Sequence, residues 1–231
     1  MEKLGNKRMI KKINIAGIEL DNYTVRESIM QVENMLCNNS FNTVVELTMP
    51  TIFDATADEV LRETIESVDH TIIADTGILA AANKLTMQRK YEIEGEDFFF
   101  ELLKRFERGH KTVFFIGENE EEISAAREFI EDEYPKCEIV GAEVLSDMGS
   151  VCDAVINEVN ALTPDVIISL LPEPQQAYFL HDHKDKLSAN LWYGIGSGKF
   201  QKRKHRLIGM IQRQLRIWKL SKQIHLFNMD H

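Results

Sequence analysis

The chain is expected to be an α/β protein, with a mainly parallel sheet covered by helices on both faces and a basic helical C-terminal appendage. Three observations carry that reading. Six short β-rich runs recur along the chain and are separated by longer stretches, the rhythm of parallel strands joined by crossover helices. The stretches between them place apolar residues at i, i+3 and i+4, as in Phe98, Leu102 and Leu103 or Ala125, Phe129 and Ile130. The one clear composition shift falls near Lys199, where an acidic body gives way to a cationic tail.

In chain order, residues 9–20 alternate apolar and polar around Ala16-Gly17, the pattern of a small β-hairpin or a kinked strand. Thr24 suits the N-cap of a helix that runs to about Cys37. Strands are expected at 43–47, 71–74, 112–116, 138–140, 165–170 and 191–195, and helices at 51–67, 77–85, 96–108, 120–133, 149–161 and 174–187. The arrangement is Rossmann-like. No repeat, low-complexity stretch or Pro/Gly/Ser linker interrupts it, so the boundary falls between a core at 1–198 and an appendage at 199–231.

The charge split points to a surface. From Lys199 to Met229 there are nine Lys or Arg and no Asp or Glu. Taking these and Asp230 from the chain's 27 basic and 37 acidic side chains leaves 18 against 36 in residues 1–198. Ile208, Ile211, Leu215 and Trp218 form one helical stripe within the tail, with Arg213 and Arg216 away from it. Such a segment, through Lys202, Arg203, Lys204, Arg206, Arg213 and Arg216, is expected to seek anionic lipid or an acidic partner. The alternative is that the stripe packs on the body and the cations are solvated.

Other bulk features exclude function classes. At 231 residues and 44% hydrophobic the chain can bury an ordinary core. Met1 to Lys12 lacks an apolar signal-peptide region, and no run approaches the roughly 18 apolar residues of a spanning helix. Cys37, Cys137 and Cys152 form no CxxC pattern and cannot all pair, which fits free thiols in a reducing cytoplasm. The acidic body and the absence of a recognition-helix motif argue against nucleic acid.

In parallel sheets ligands bind beyond the carboxyl ends of the strands, so the residues there are the candidates for function. Asp75 ends the run Thr71-Ile72-Ile73-Ala74 and precedes Thr76-Gly77 and an apolar helix. It is either a plain N-cap or a general base that takes a proton from a sugar hydroxyl. Gly194-Ile195-Gly196-Ser197-Gly198-Lys199 follows another strand run, and is either a glycine-rich turn or a set of backbone N–H groups for a diphosphate. Tyr193 and Phe200 exclude a P-loop, and Lys199 excludes a dinucleotide fingerprint, which disfavours a nucleotide-dependent oxidoreductase. His181 and His183, two apart on a helix, diverge, so no metal is expected. Ser169 and Cys152 lack the neighbouring His pattern of a nucleophile.

The order of several short segments resembles the WecG/TagA/CpsF glycosyltransferases, bacterial enzymes of cell-surface polymer synthesis. These segments are Ile13 to Thr24, Ala74-Asp75-Thr76-Gly77-Ile78, Glu94-Gly95-Glu96-Asp97-Phe98, Val113 to Gly117, Tyr134-Pro135, Pro174-Gln175-Gln176 and Gly194-Ile195-Gly196-Ser197, a likeness from about Lys12 to Ile224. The resemblance implies inverting transfer of an N-acetylhexosamine-type sugar from a UDP-sugar to a polyprenyl-diphosphate-linked acceptor, as in teichoic acid or polysaccharide synthesis, with no cofactor or required metal. It also implies a cytoplasmic protein peripheral on the inner face of the bacterial membrane. Asp75 falls on the family's catalytic base, Thr48 on a residue of the first active-site loop, Asp97 on the end of a G-x-D turn and Gln176 on a nucleotide-side glutamine. Gly194, Gly196, Ser197 and Gly198 would face the nucleotide.

The chain departs from the family pattern at named positions. Thr-x-Asn becomes Thr48-Met49-Pro50, an Arg before the G-x-D turn becomes Glu92, Ala177 stands in a Gln-Glu-x-x-Trp-like run, and an Asp after the glycine turn becomes Gln201. A segment rich in glycine in the family reads Leu170-Leu171-Pro172-Glu173. Losing one transition-state donor typically lowers a rate on the order of a hundredfold, so the second reading is a non-catalytic member that serves an active glycosyltransferase as partner or regulator. A homo-oligomer is the other assembly this reading admits.

Overall fold

A computed structural model describes residues 11–38, 40–145 and 151–200. Its elements run β1 (Lys12–Ile15), β2 (Ile18–Asp21), α1 (Val25–Met35), β3 (Asn42–Leu47), α2 (Met49–Ala55), α3 (Glu59–Ser67), β4 (His70–Ile73), α4 (Thr76–Ala81), α5 (Met87–Glu94) and α6 (Asp97–Arg108). There follow β5 (Thr112–Gly117), α7 (Glu120–Glu133), β6 (Glu138–Val144), α8 (Val151–Leu162), β7 (Val166–Leu170), α9 (Gln175–His183), a 3-10 turn at Lys184–Lys186 and β8 (Leu191–Gly194). Six strands form one sheet in the order β4-β3-β8-β7-β5-β6, parallel at every pairing. The expected α/β class with a doubly covered parallel sheet is therefore the observed one.

Side chains alternate across the sheet, and each face has its own core. One face presents Val45, Leu47, Ile73, Phe114, Ile116, Ile167 and Trp192 to α2, α3, α4, α8 and α9. The other presents Val44, Ile72, Phe115, Ile168, Leu191 and Tyr193 to α1, α6 and α7. Phe98, Phe99, Leu102, Leu103 and Phe106 bury one whole stripe of α6, as their spacing implies.

The local signals explain most boundaries. Ala16 and Gly17 both take positive φ, 53° and 92°, so β1 and β2 close through the two-residue turn that favours a twisted hairpin. Thr24 caps α1 in a full capping box with Glu27. The single helix expected at 51–67 is instead two, because Asp58 turns out of the helix and accepts the Leu61 N–H at 3.0 Å, restarting it as α3. The helix expected at 77–85 stops at Ala81, where the chain turns through Asn83 at φ 53°. The strand expected at 138–140 runs on to Val144, past a register shift opposite Val113 and Phe114. The apolar spacing predicts no helix at α5, since none of its residues is fully buried and it lacks an apolar stripe.

The hairpin seals the open edge of the sheet through one side chain. Asp21 Oδ2 accepts the Thr71 N–H of β4 at 2.9 Å, and the Asp21 N–H donates to Thr71 Oγ1 at 2.7 Å. His70 Nδ1 lies 3.3 Å from the same carboxylate, and Lys12 Nζ 3.1 Å. Burial pushes the Asp21 carboxyl up, but His70, the Thr71 N–H and Lys12 outweigh it and hold it at about 2. A folded-state value below the unfolded one makes this a contribution present above about pH 4 and lost as pH falls toward 2. Asp21→Asn is therefore expected to lower unfolding free energy at pH 7 by on the order of 2 kcal/mol, and to lose less of its stability than the native chain between pH 5 and 2. Urea titrations across that range measure both effects.

Candidate active site

Beyond the carboxyl ends of β4, β3 and β8, on the α1 and α6 side of the sheet, lies a cavity of about 320 Å³. Glu46, Thr48, Arg89, Glu92, Ser197 and Lys199 supply polar groups to its wall, over a floor that includes Ile72 and Phe98. Two backbone bonds fix the strand exits that frame it. Ala74 N donates to Leu47 O at 2.9 Å and Ile195 N to Ser169 O at 3.0 Å.

Thr48 stands where β3 passes into α2, on the cavity wall, with its Oγ1 2.9 Å from Thr51 Oγ1. Pro50 falls in the first turn of α2, where a backbone N–H has no intrahelical acceptor, so the proline leaves the helix intact. Asp75 is the N-cap of α4: its Oδ1 accepts the Gly77 N–H at 2.7 Å. Its Oδ2 accepts the Met49 N–H at 3.3 Å, which ties the end of β4 to the exit of β3. The carboxylate is half-buried at the strand end, beside Ala74 of the cavity wall rather than on the wall itself.

Two further sequence candidates sit elsewhere. Asp97 opens α6 and is exposed, lining a second groove between α1 and α6 with Arg26 and Lys104. Gln176 is buried beneath β8 on the opposite face, the side toward which Gly194 alternates. A Cβ on Gly194 would overlap the Gln176 amide, so that glycine is required by packing. Gln176 Nε2 donates to Glu173 Oε1 at 2.6 Å, and burial pushes the Glu173 carboxyl up against that bond and the Ala177 N–H. The strand ends thus bring Thr48 and Ser197 together, with Asp75 about 10 Å from β8 across two strand spacings. Asp97 and Gln176 do not join them.

Gly196 and Gly198 take φ of 70° and 79°, the left-handed region that glycine enters without strain. The Gly198 N–H donates to the carboxylate of Glu122 on α7, and the Lys199 N–H reaches the same group. Two N–H groups that the glycine run offered for a diphosphate therefore already hold an internal anion.

The structure adds residues that the motif reading missed. Glu46, 8% exposed in the otherwise apolar β3, accepts from Tyr193 Oη and from Lys199 Nζ. Lys199 Nζ also lies 3.9 Å from Glu96 Oε1 and 4.4 Å from the Phe99 ring centroid. Arg89 Nη1 pairs with Glu92 Oε2 at 2.7 Å, so Glu92 does face the cleft, while Gln201 lies outside the described residues. A carboxylate within an apolar strand was the available signal for Glu46. Lys199, counted by sequence with the tail, is placed in the cleft, and Phe200 beside it is buried against Phe99 and Phe129. The other tail cations, Lys202, Arg203, Lys204, Arg206, Arg213 and Arg216, lie outside the described residues.

Each cation on the cavity wall is matched by a carboxylate, Arg89 by Glu92 and Lys199 by Glu46 and Glu96. Among the described residues no three of His, Cys, Asp or Glu are grouped as a metal ion would need; His181 turns to Asp182, and His183 packs edge-on against Phe179. Glu46→Leu should leave the Lys199 ammonium with only its longer contact to Glu96 and cost on the order of 3 kcal/mol of unfolding free energy, with Lys199→Met added to it recovering most of that loss. Urea unfolding of the two single variants and the double variant measures the coupling, and additive losses would refute it.

Comparison with known proteins identifies the family. The family model described as "Glycosyl transferase WecG/TagA/CpsF family" matches residues 13–199, from the hairpin to the lysine in the cleft. Relatives from Staphylococcus aureus strains NCTC 8325 / PS 47, COL and MRSA252 are each 24% identical over 187 residues, covering 80% of this chain and 73% of their own. Each is named N-acetylglucosaminyldiphosphoundecaprenol N-acetyl-beta-D-mannosaminyltransferase. A match that begins in β1, takes in every strand of the sheet and ends on the wall of the strand-end cleft spans the described body from edge to edge, and the chain belongs to the WecG/TagA/CpsF family of glycosyl transferases.

Proposed function

We propose that the protein transfers an N-acetylhexosamine-type sugar from a UDP-sugar to a polyprenyl-diphosphate-linked acceptor, with inversion at the anomeric carbon. The observation that carries this is Asp75, a carboxylate oriented by two backbone N–H groups at a strand end beside a cavity of about 320 Å³. The relatives' name supports both halves of the reaction, since it specifies a lipid-diphosphate acceptor and an N-acetylmannosamine donor group.

In this reading Asp75 takes the proton of the acceptor hydroxyl as its oxygen attacks the anomeric carbon. The bond from that carbon to the diphosphate oxygen breaks on the opposite side, and its electron pair leaves with UDP. Thr48 and Ser197, both on the cavity wall beyond the neighbouring strands β3 and β8, offer hydroxyls to the sugar and the diphosphate. Arg89 and Lys199 are the cations at hand, and each would exchange a carboxylate partner for a phosphate.

Asp75→Asn keeps the cap's shape and one acceptor oxygen, so the fold should hold while turnover falls by about a hundredfold or more. The assay is UDP release from a UDP-N-acetylhexosamine in the presence of a polyprenyl-diphosphate-linked N-acetylglucosamine. Equal turnover by the variant would leave Asp75 as a cap alone. Tight UDP binding by the native chain without any release would instead favour the non-catalytic member.

In this reading the work is done at the inner face of the membrane, which the lipid-linked acceptor in the relatives' name supports, and among the described residues no helix is long and apolar enough to cross one. The basic tail supplies a peripheral attachment in this reading. At about 1 kcal/mol per cation near an anionic surface, replacing Lys202, Arg203, Lys204, Arg206, Arg213 and Arg216 by Gln in the full chain should lower partitioning onto phosphatidylglycerol vesicles by more than a hundredfold. Co-sedimentation at low salt measures it, and unchanged partitioning would remove the membrane assignment.

A further inference from the structure

Glu122 is at odds with its surroundings. It follows Glu120 and Glu121 at the start of α7, and both of those are exposed, whereas Glu122 is 1% exposed. A side chain there that only decorated an acidic helix start would face water as they do. Burial pushes its carboxyl up, Glu118 adds to the push, and the N–H groups of Gly198 and Lys199 pull against both.

The carboxylate is held inward by what it binds. Gly198, at φ 79°, lets two successive backbone N–H groups turn toward one point, the concave arrangement in which a loop receives an anion. Glu122 occupies that point. On one side of the contact Ser197 reaches the cavity wall, and on the other the Lys199 side chain reaches Glu46 and Glu96 within the cavity. Phe200 then anchors the chain between Phe99 and Phe129, at ring distances of 5.9 and 5.5 Å. Glu122 itself is not on the cavity wall.

We propose that Glu122 is a positioning residue: as an internal anion in the glycine turn, it sets where Ser197 and Lys199 stand in the cleft. The turn's Gly198 and Lys199 N–H groups are then part of the scaffold, and the diphosphate of a nucleotide-sugar is met by the side chains that the turn carries. The effect on nucleotide binding rests on the glycosyltransferase reading above; the effect on the turn does not.

Glu122→Gln separates the two. It keeps the volume and removes the charge, and Glu122→Met removes the acceptor as well should the Gln variant fold poorly. Losing a charge-assisted bond should speed amide hydrogen exchange at Gly198 and Lys199 by about tenfold or more, with the helices of the body retaining their protection. Calorimetry with UDP should show a dissociation constant raised by about tenfold, since Lys199 is no longer held on the cavity wall. Unchanged exchange at both amides would overturn the proposal. Tighter UDP binding by the variant would overturn it too, because the freed amides would then be the phosphate cradle and Glu122 its competitor. Absence of UDP binding by the native chain would count against the glycosyltransferase reading, and the exchange result would still decide whether Glu122 holds the turn.

Discussion

Both faces of the six-stranded sheet are covered by helices, and this burial is the constraint on which the rest of the structure depends. A parallel sheet without a solvent face must fix its register and satisfy its polar groups at the strand ends. Here one clasp does so three times. Thr43 sends its N–H to Asp69 at 2.8 Å and receives the Asp69 N–H at 3.1 Å. Thr112 does the same with Asp165 at 3.0 and 2.8 Å, and Thr71 with Asp21 at 2.9 and 2.7 Å. Each pairing matches two donors with two acceptors between residues far apart in sequence, so β3, β5 and β4 are pinned where they begin.

The same constraint concentrates charge beyond the other ends of the strands. Glu46 is the one carboxylate within the apolar run of β3, and it is tolerable because Tyr193 and Lys199 both donate to it. Every cation of the cleft is consequently engaged before any ligand enters, Arg89 on Glu92 and Lys199 on Glu46 and Glu96, so that two cations face three carboxylates there, while the glycine turn is held on Glu122. An anionic ligand has to exchange partners with resident carboxylates, a different problem from filling an empty basic pocket. Glu92, where the family pattern implies an arginine, is one of those carboxylates, and Arg89 lies one turn away on the same helix.

Much of the architecture was legible because its signals are local. The positive-φ pair Ala16-Gly17, the capping box at Thr24 and Glu27, and the β-rich runs each declare themselves within a few residues. Asp75 was legible as a cap for the same reason. α5 was not, because none of its residues is fully buried and it leaves no periodic stripe, and the break between α2 and α3 was hidden by apolar spacing that continues across Asp58.

Residue order alone determined the class of fold, the place of the candidate loops at the carboxyl ends of strands, and the family. Only the tertiary structure decided which of those loop residues share a cavity. Gln176 and Ser197 follow neighbouring strands yet lie on opposite sides of the sheet, and Lys199 belongs to the cleft although its sequence neighbours are the tail's cations. The reason is physical: local sequence sets backbone conformation, whereas the side of the sheet a residue faces and the charge it meets there depend on groups brought from distant positions. For Lys199 those groups are Glu46, Glu96 and Glu122, on three different elements or turns.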